Sequence, residues 1–348
     1  MGKGRRAVLM GLTVGAAAGT LRRRAAARRA RERERFFRTT GRKVTVTTDD
    51  GARIAAEVDD HPAPRAAVVF THGWLMSRHC WRYQRDALAG RALLVSYDHR
   101  GHGESSAAPL DAYTIDRLGD DLAAVIEATV PSALPVILAG HSMGGMTIMA
   151  LAQRHPGLIA SRVAGVALLS TSAGWRSGGL TYGLPGPVGR FAARATPRIF
   201  DALLARAEEI DRRPRLKELA MLPVTRLTAF GKKPHRADVR FVNAMATATA
   251  TEPMVAFFHQ IQVHDRLSAL QALQDVETLI IVGERDRLTP PSDSRRIAKA
   301  LPGARLIITP DAGHMIGIER PGLVNQELLG LLQRATERGA AGRLGIAS

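Results

Sequence analysis

Short apolar runs alternate with stretches of helical period from Val44 onward, and this alternation constrains the fold more than any other feature of the chain. Such a pattern is typical of a mostly parallel sheet with helices on both faces. The first two runs flank the turn signal Asp49-Asp50-Gly51, so we expect them to pair as an antiparallel hairpin. The eight runs predict an eight-stranded α/β sheet with strands at 44–48, 53–58, 66–71, 92–97, 135–139, 165–170, 278–282 and 305–308.

The spacing of these runs is even except in one place. About 100 residues separate Ser172 from Val276, more than one crossover helix needs, and their sequence is helical with apolar patches. We therefore predict a helical lid insertion at 173–275. The remaining boundaries are a basic N-terminal tail at 1–43, a core at 44–172 and 276–336, and a C-terminal tail at 337–348.

The positive charge of the protein is concentrated in the N-terminal tail. The whole chain has 49 Lys+Arg and 32 Asp+Glu, a formal charge of +17. Residues 1–43 contain 14 basic and two acidic side chains (+12), which leaves 35 basic and 30 acidic (+5) for the rest. We expect no nucleic-acid partner for the nearly balanced body. Its apolar content excludes intrinsic disorder there.

The tail has the order charge, apolar run, charge. Lys3, Arg5 and Arg6 precede an uncharged run, Ala7–Leu21, and arginines follow it as far as Arg38. As a helix this run spans about 22 Å, short of the ~30 Å hydrocarbon core. We predict membrane contact through residues 5–38 with the enzyme body on the cytoplasmic side. A solvated linker, a cleaved export signal and a nucleic-acid contact remain alternatives for this segment.

A candidate nucleophile lies between a strand and a helix. The run Pro135–Ala139 leads into Gly140-His141-Ser142-Met143-Gly144-Gly145, and the residues after it have helical period. A serine at such a strained turn needs small neighbours so that strand and helix approach closely. Gly140 and Gly144 meet this need. The motif predicts Ser142 as the nucleophile of a nucleophile elbow.

A serine hydroxyl needs a base, and the base needs an acid that orients it. His314 follows the last predicted strand and is the candidate base. Asp286 and Glu284 both follow the preceding strand and compete for the acid role, with Asp311 as a third candidate. Spacing alone leaves the acid undecided.

A developing oxyanion requires hydrogen-bond donors. The backbone N–H of Met143, directly after the nucleophile, is one candidate, and that of Trp74, after the third strand, is the second. The Trp74 side chain is expected either to wall the pocket or to belong to the core. We interpret His72 as a residue that braces this loop.

The chain resembles the α/β-hydrolase fold family over residues 44 to about 334. This resemblance implies Ser142 as nucleophile, Asp286 rather than Glu284 as acid, His314 as base, and Trp74 and Met143 as oxyanion donors. The insertion then occupies the family's lid position. The motifs that carry the resemblance are His72-Gly73-Trp74, Asp98–Ser105, Gly140–Gly145, Val282–Asp286 and Gly313-His314-Met315.

The expected activity is hydrolysis of carboxylic esters through an acyl-enzyme, without a cofactor or metal. Cys80 is the single cysteine, which excludes a CxxC site, and His99 with His102 is a weak candidate for a metal pair. The apolar insertion favours small or lipid-like esters such as monoacylglycerols as substrate. A cofactor-free haloperoxidase or perhydrolase, a C–C bond hydrolase and a non-catalytic ligand receptor are the alternatives, and the oligomeric state is left open.

Overall fold

An eight-stranded sheet is the main element of the fold. The computed structural model describes residues 37–38, 41–175 and 186–345. The chain divides into two units, 1–40 and 41–348, and the architecture below is that of the second. Its strands are β1 Arg42–Thr47, β2 Arg53–Asp59, β3 Ala67–Thr71, β4 Leu93–Tyr97, β5 Val136–His141, β6 Val163–Leu169, β7 Glu277–Gly283 and β8 Arg305–Thr309.

The sheet is parallel except at one edge. Its order is β1-β2-β4-β3-β5-β6-β7-β8, and β2 runs antiparallel to both of its neighbours. The predicted hairpin of β1 and β2 is confirmed, with Gly51 in its turn at φ 83°. Strands β3, β4 and β5 are buried along their whole length, as expected for apolar strands covered by helices on both faces. The predicted eight-stranded, mostly parallel α/β fold is therefore confirmed.

Helices follow most of the parallel strands and cover both faces of the sheet. Within the described ranges, three short 3-10 helices accompany them, at Arg78–Trp81, Leu110–Ala112 and Ser268–Leu273. The α-helices are α1 Arg82–Leu88, α2 Ile115–Thr129, α3 Met143–Arg154, α4 Pro156–Arg162, α5 Gly186–Leu204, α6 Ala207–Asp211, α7 Pro214–Ala229, α8 Arg236–Ala248, α9 Thr251–Gln262, α10 Pro291–Ala300, α11 Ile316–Glu319 and α12 Pro321–Gly345.

The long connection between β6 and β7 contains helices α5 to α9. Its two ends meet at an isolated antiparallel bridge between Gly174 and Asp265, and the Arg266 N–H donates to the Ala173 carbonyl at 2.8 Å. The 3-10 helix that follows, Ser268–Leu273, packs into the sheet core through Leu270 and Leu273. The neck of the insertion thus lies at Gly174 and Asp265, inside the boundaries 173 and 275 expected from the sequence.

The structure describes most of the C-terminal segment but only residues 37 and 38 of the N-terminal unit, 1–40. Helix α12 continues through Gly345, so most of the segment set aside as a C-terminal tail, 337–348, is helical. Gly339, Gly342 and Gly345 are poor helix formers, so helix propensity alone does not predict this extension. The segment predicted to contact a membrane lies, apart from residues 37 and 38, outside the described residues. Within the described part of the chain, no helix has both the length and the apolar character needed to cross a bilayer.

Candidate active site

Ser142 occupies a strained turn between β5 and α3. Its backbone has φ 53° and ψ −117°, a conformation that non-glycine residues rarely adopt. The Ser142 N–H donates to the Leu169 carbonyl at 2.9 Å, and its own carbonyl accepts from the N–H groups of Gly145 and Met146. The Thr171 hydroxyl also donates to this carbonyl at 2.7 Å. These bonds fix the turn and leave the half-buried side chain at the end of the strand.

The glycines of the elbow are required by close backbone approach. A Cβ on Gly140 would lie 2.6 Å from the Gly144 carbonyl oxygen, and a Cβ on Gly144 would lie 2.0 Å from the Thr71 carbonyl oxygen. Both distances are far below van der Waals contact. The structure therefore gives Gly140 and Gly144 the steric role expected for them.

His314 and Asp286 meet beyond the ends of β8 and β7. The Nδ1 atom of His314 lies 2.9 Å from Asp286 Oδ2 and 3.0 Å from Oδ1. Because a carboxylate only accepts, Nδ1 must carry the proton, and Nε2 is then the nitrogen with a free lone pair. The pair has the tautomer that a general base in acyl transfer needs.

Asp286 is fully buried and held by several donors. The N–H groups of Leu288 and Thr289 each lie 2.9 Å from Oδ1, and the Thr289 hydroxyl donates to Oδ2 at 2.9 Å. Burial alone would raise the pKa of this carboxyl, but His314 and the donors of Thr289 outweigh it and lower the pKa below its ordinary value. Asp286 is therefore ionised beside the imidazole.

The structure separates the three candidate acids. Glu284 is exposed, and one of its carboxylate oxygens lies 3.4 Å from the Asp311 N–H. Asp311 forms an exposed ion pair with Arg285 at 3.0 Å. Of the three, Asp286 is the one that lies beside His314.

The insertion contacts the base loop, residues 310–315, directly. The Met315 N–H donates to the Ala229 carbonyl at 3.1 Å, and the Lys232 N–H donates to the Asp311 carbonyl at 2.9 Å. The Glu319 carboxylate joins both sides, since one oxygen accepts from the Gly313 N–H and the other from the Gly231 N–H, each at 2.9 Å. The position of His314 thus depends on the insertion as well as on the sheet.

The loop after β3, residues 72–76, is held by buried histidines. His72 Nδ1 donates to the Gly73 carbonyl at 2.8 Å, and its Nε2 accepts from the His99 N–H at 2.9 Å. His102 Nε2 accepts from the N–H of Leu75, a residue at φ 59°. His72 thus braces this loop as expected. The N–H groups of Trp74 and Met143 donate to no backbone carbonyl among the described residues.

The two histidines considered as a metal pair are engaged by backbone groups. His99 Nε2 donates to the His72 carbonyl at 2.9 Å, and His102 Nδ1 donates to the Arg100 carbonyl at 3.1 Å. Across 41–175 and 186–345, no group of three or more His, Cys, Asp or Glu side chains is arranged to hold a metal ion. This cluster is a structural support for the loop.

Ser142 and His314 line the same cavity, which has a volume of about 670 Å³. Trp74 is one of its walls: the indole Nε1 donates to the Met254 carbonyl at 3.0 Å, and the ring lies 6.0 Å from that of Phe258. Helices of the insertion supply most of the remaining surface. Their apolar lining residues include Leu203, Met221, Val224, Val242, Met254 and Ile261.

Helix α7 presents an apolar stripe to solvent beside this cavity. The exposed positions recur with helical spacing, so they share one face of the helix. Leu216, Ala220 and Val224 of this stripe also line the cavity. The α7 stripe consists of Leu216, Leu219, Ala220, Pro223, Val224 and Leu227.

Two residues near the candidate triad were not identified from the sequence. Thr289 supplies the hydroxyl on Asp286, and the spacing Asp-x-x-Thr was the available signal. His141 precedes the nucleophile and lies 2.9 Å, through Nε2, from the His314 carbonyl oxygen. No local sequence pattern indicates a contact between residues so far apart in the chain.

Comparisons with known proteins agree with this architecture. A family model described as alpha/beta hydrolase fold matches residues 66–321. RutD of Caulobacter sp. (strain K31), named as a candidate carbamate hydrolase, is 27% identical over 279 residues, covering 79% of this chain and 94% of RutD. An esterase from Thermogutta terrifontis is 25% identical, with a TM-score of 0.67 and coverage of 85% of this chain and 99% of its own. A bromoperoxidase from Bacillus anthracis, 20% identical with a TM-score of 0.67 over 84% of this chain and 100% of its own, shows likeness of fold. The chain belongs to the α/β-hydrolase fold family.

Proposed function

We propose that this protein hydrolyses carboxylic esters with Ser142 as nucleophile, His314 as general base and Asp286 as the acid that orients it. The observation that carries the proposal is the pairing of His314 Nδ1 with buried Asp286 at 2.9 Å, beside the cavity that Ser142 also lines. An esterase from T. terrifontis among its relatives supports the same bond type.

The reaction proceeds in two halves. His314 Nε2 takes the Ser142 proton as the oxygen attacks the acyl carbonyl, and the N–H groups of Trp74 and Met143 stabilise the oxyanion. The imidazolium then protonates the leaving alcohol, and the acyl group stays on Ser142. Water, deprotonated by His314, attacks this acyl-enzyme and releases the carboxylic acid, which restores the serine hydroxyl.

The proposed substrates are lipid-like esters of the monoacylglycerol type. A cavity of about 670 Å³ lies within the range of small-molecule sites, and its lining is mainly apolar. The α7 stripe extends this apolar surface to the solvent. Arg206, Glu209 and Arg213 also line the cavity and can face a polar headgroup.

Carbamate hydrolysis is a second candidate because RutD shares 27% identity over most of both chains. It uses the same nucleophile and differs in the bond that is broken. The further alternatives are perhydrolysis, C–C bond hydrolysis and ligand binding without catalysis. An activity profile distinguishes these from one another.

The test is a series of p-nitrophenyl esters from acetate to palmitate, with an aryl carbamate alongside. We expect kcat/KM to rise by up to about fourfold per added methylene until the cavity is filled, since each buried methylene contributes about 0.8 kcal/mol. Ser142→Ala serves as the blank. A flat or falling series would contradict the lipid-like substrate, and faster turnover of the carbamate would favour the second candidate.

A further inference from the structure

His141 lies between the loop that carries His314, residues 310–315, and the loop after β3, residues 72–76, which carries Trp74. Its side chain is 5% exposed, and its ring centroid is 4.9 Å from that of His314. On one side, Nε2 lies 2.9 Å from the His314 carbonyl oxygen. On the other side, a Cβ on Gly73 would be 2.7 Å from Nδ1, so the ring packs directly on the backbone that precedes Trp74.

The hydrogen bond defines the protonation state of this ring. A carbonyl only accepts, so Nε2 carries the proton and Nδ1 is unprotonated in the neutral form. Nδ1 has no hydrogen-bond partner among the described residues. Burial, with a contribution from the nearby His314, lowers the pKa of His141 to about 3, which keeps the ring uncharged at neutral pH.

We infer that His141 is a positioning residue that holds the base loop, residues 310–315, and the loop after β3, residues 72–76, in register on either side of Ser142. This inference rests on the proposed function, since it assigns a role relative to His314 and the Trp74 N–H. The imidazole holds the His314 backbone through the Nε2–H donor. The side of the ring that carries Nδ1 packs on Gly73 and so sets the distance between the ring and this backbone. A displacement of about 1 Å between base, nucleophile and oxyanion donor is enough to slow such a reaction by about 100-fold.

The test compares replacements that keep either the ring or the donor. His141→Phe keeps an aromatic ring and removes the donor, whereas His141→Gln places an amide N–H near the position of Nε2. We expect Ser142 labelling by a fluorophosphonate probe to be at least about tenfold slower in H141F and within about threefold of wild type in H141Q. For ester turnover we expect the loss in kcat, with KM nearly unchanged.

His264 provides a matched control. It is 4% exposed, its Nε2 donates to the Ser172 carbonyl at 3.1 Å, and its Nδ1 also has no partner within the described part of the chain. His264→Phe should therefore lower thermal stability about as much as H141F does and leave the labelling rate within about twofold of wild type. If H141F fails to fold, His141→Asn, whose shorter amide cannot reach the His314 carbonyl, replaces it in the comparison with H141Q.

Wild-type labelling rates in H141F would overturn the inference, and so would equal slowing in H141F and H141Q. A measurement that needs no substrate distinguishes failure of this inference from failure of the proposed function. The Nδ1 proton of His314, which is bonded to Asp286, should give a downfield resonance in proton NMR that shifts in H141F and stays in place in H264F. Wild-type protein that is labelled but hydrolyses no ester would contradict the substrate proposal alone.

Discussion

At the residue scale, Thr289 supplies a side-chain hydrogen bond to Asp286, the proposed acid, and a substitution can remove this bond alone. Its hydroxyl donates to Asp286 Oδ2 at 2.9 Å and lies 3.3 Å from His314 Nδ1. We expect Thr289→Val to raise the pKa of Asp286, because a donor to its ionised form is lost. Since a hydrogen bond to a charged group contributes about 1.5–3 kcal/mol, kcat/KM should fall by at least about tenfold. The acid limb of the kcat/KM profile should move to higher pH.

Thr289→Ser is the control for this change, since it retains the hydroxyl and both N–H donors of the loop. Its profile should stay within about threefold of wild type at every pH. An unaltered pH profile in T289V would show that the hydroxyl has no part in holding the acid.

The sequence was most informative about candidate site residues whose position depends on the local path of the chain. Ser142 could be predicted because the glycines around it report a tight turn, and His314 because it follows the last strand. Spacing alone left three candidates for the acid, and the choice of Asp286 came from the family resemblance. Burial of Asp286 and exposure of Glu284 depend on the path of one loop. The contact of His141 with His314 joins distant segments and left no local signal.

At the element scale, helix α7 lines the cavity and contacts the loop that carries His314, residues 310–315. Ala220 is exposed and lines the cavity, and the helix ends at Ala229, whose carbonyl accepts from Met315. Ala220→Phe adds a ring to the cavity without filling the protein core. We expect kcat/KM for p-nitrophenyl laurate to fall at least about tenfold and that for the butyrate to change by less than about twofold.

Leu219→Phe is matched to this variant because it adds a phenyl ring at the adjacent exposed position, which does not line the cavity. It should leave the chain-length series unchanged. Equal effects of A220F and L219F, or no change in either, would contradict acyl binding along α7.

The strands were predicted to within two residues at every end, because most of them are short runs rich in apolar and β-branched residues. The insertion was recognised by length, but its neck was not, since Gly174 and Asp265 are paired by tertiary structure. The extension of α12 to Gly345 was not predicted, because Gly339, Gly342 and Gly345 are poor helix formers.

At the scale of the whole molecule, several buried histidines make stability depend on pH. Burial is the main cause that lowers the pKa of His79, His102 and His264 from 6.5 to about 4 and that of His99 and His141 to about 3. The unfolded chain therefore binds more protons than the fold between pH 6.5 and about 4. We expect the free energy of unfolding to decrease by several kcal/mol as the pH falls through this window.

Buried carboxyls oppose this trend, since burial also raises the pKa values of Asp98, Asp121 and Glu319 above their ordinary values. Burial raises the pKa of Asp293 from 3.8 to about 6, so its protonation favours the fold as the pH decreases from 6 towards 3.8. Urea denaturation at pH 7.5, 6, 5 and 4.5 measures the net effect of all these groups on the free energy of unfolding. A free energy of unfolding that stays constant or increases between pH 6.5 and 4.5 would contradict the assignment of neutral buried histidines.

The N-terminal tail is the other property of the whole chain. We propose that residues 5–38 contact anionic lipid, because residues 1–43 contribute +12 of the formal +17. Deletion of residues 1–36 should abolish cosedimentation with phosphatidylserine vesicles and leave the ester series unchanged. Equal vesicle binding by both forms would contradict the proposal, and binding of duplex DNA that the deletion removes would favour a nucleic-acid contact.

The central claim is that Ser142 carries the acyl group during turnover. Acid quenching of the reaction with p-nitrophenyl butyrate, followed by peptide mass spectrometry, tests it most directly. We predict a butyryl adduct on the peptide that contains Ser142, and no detectable turnover or adduct in Ser142→Ala. Turnover by S142A at the wild-type rate, or an adduct on another side chain, would contradict the account.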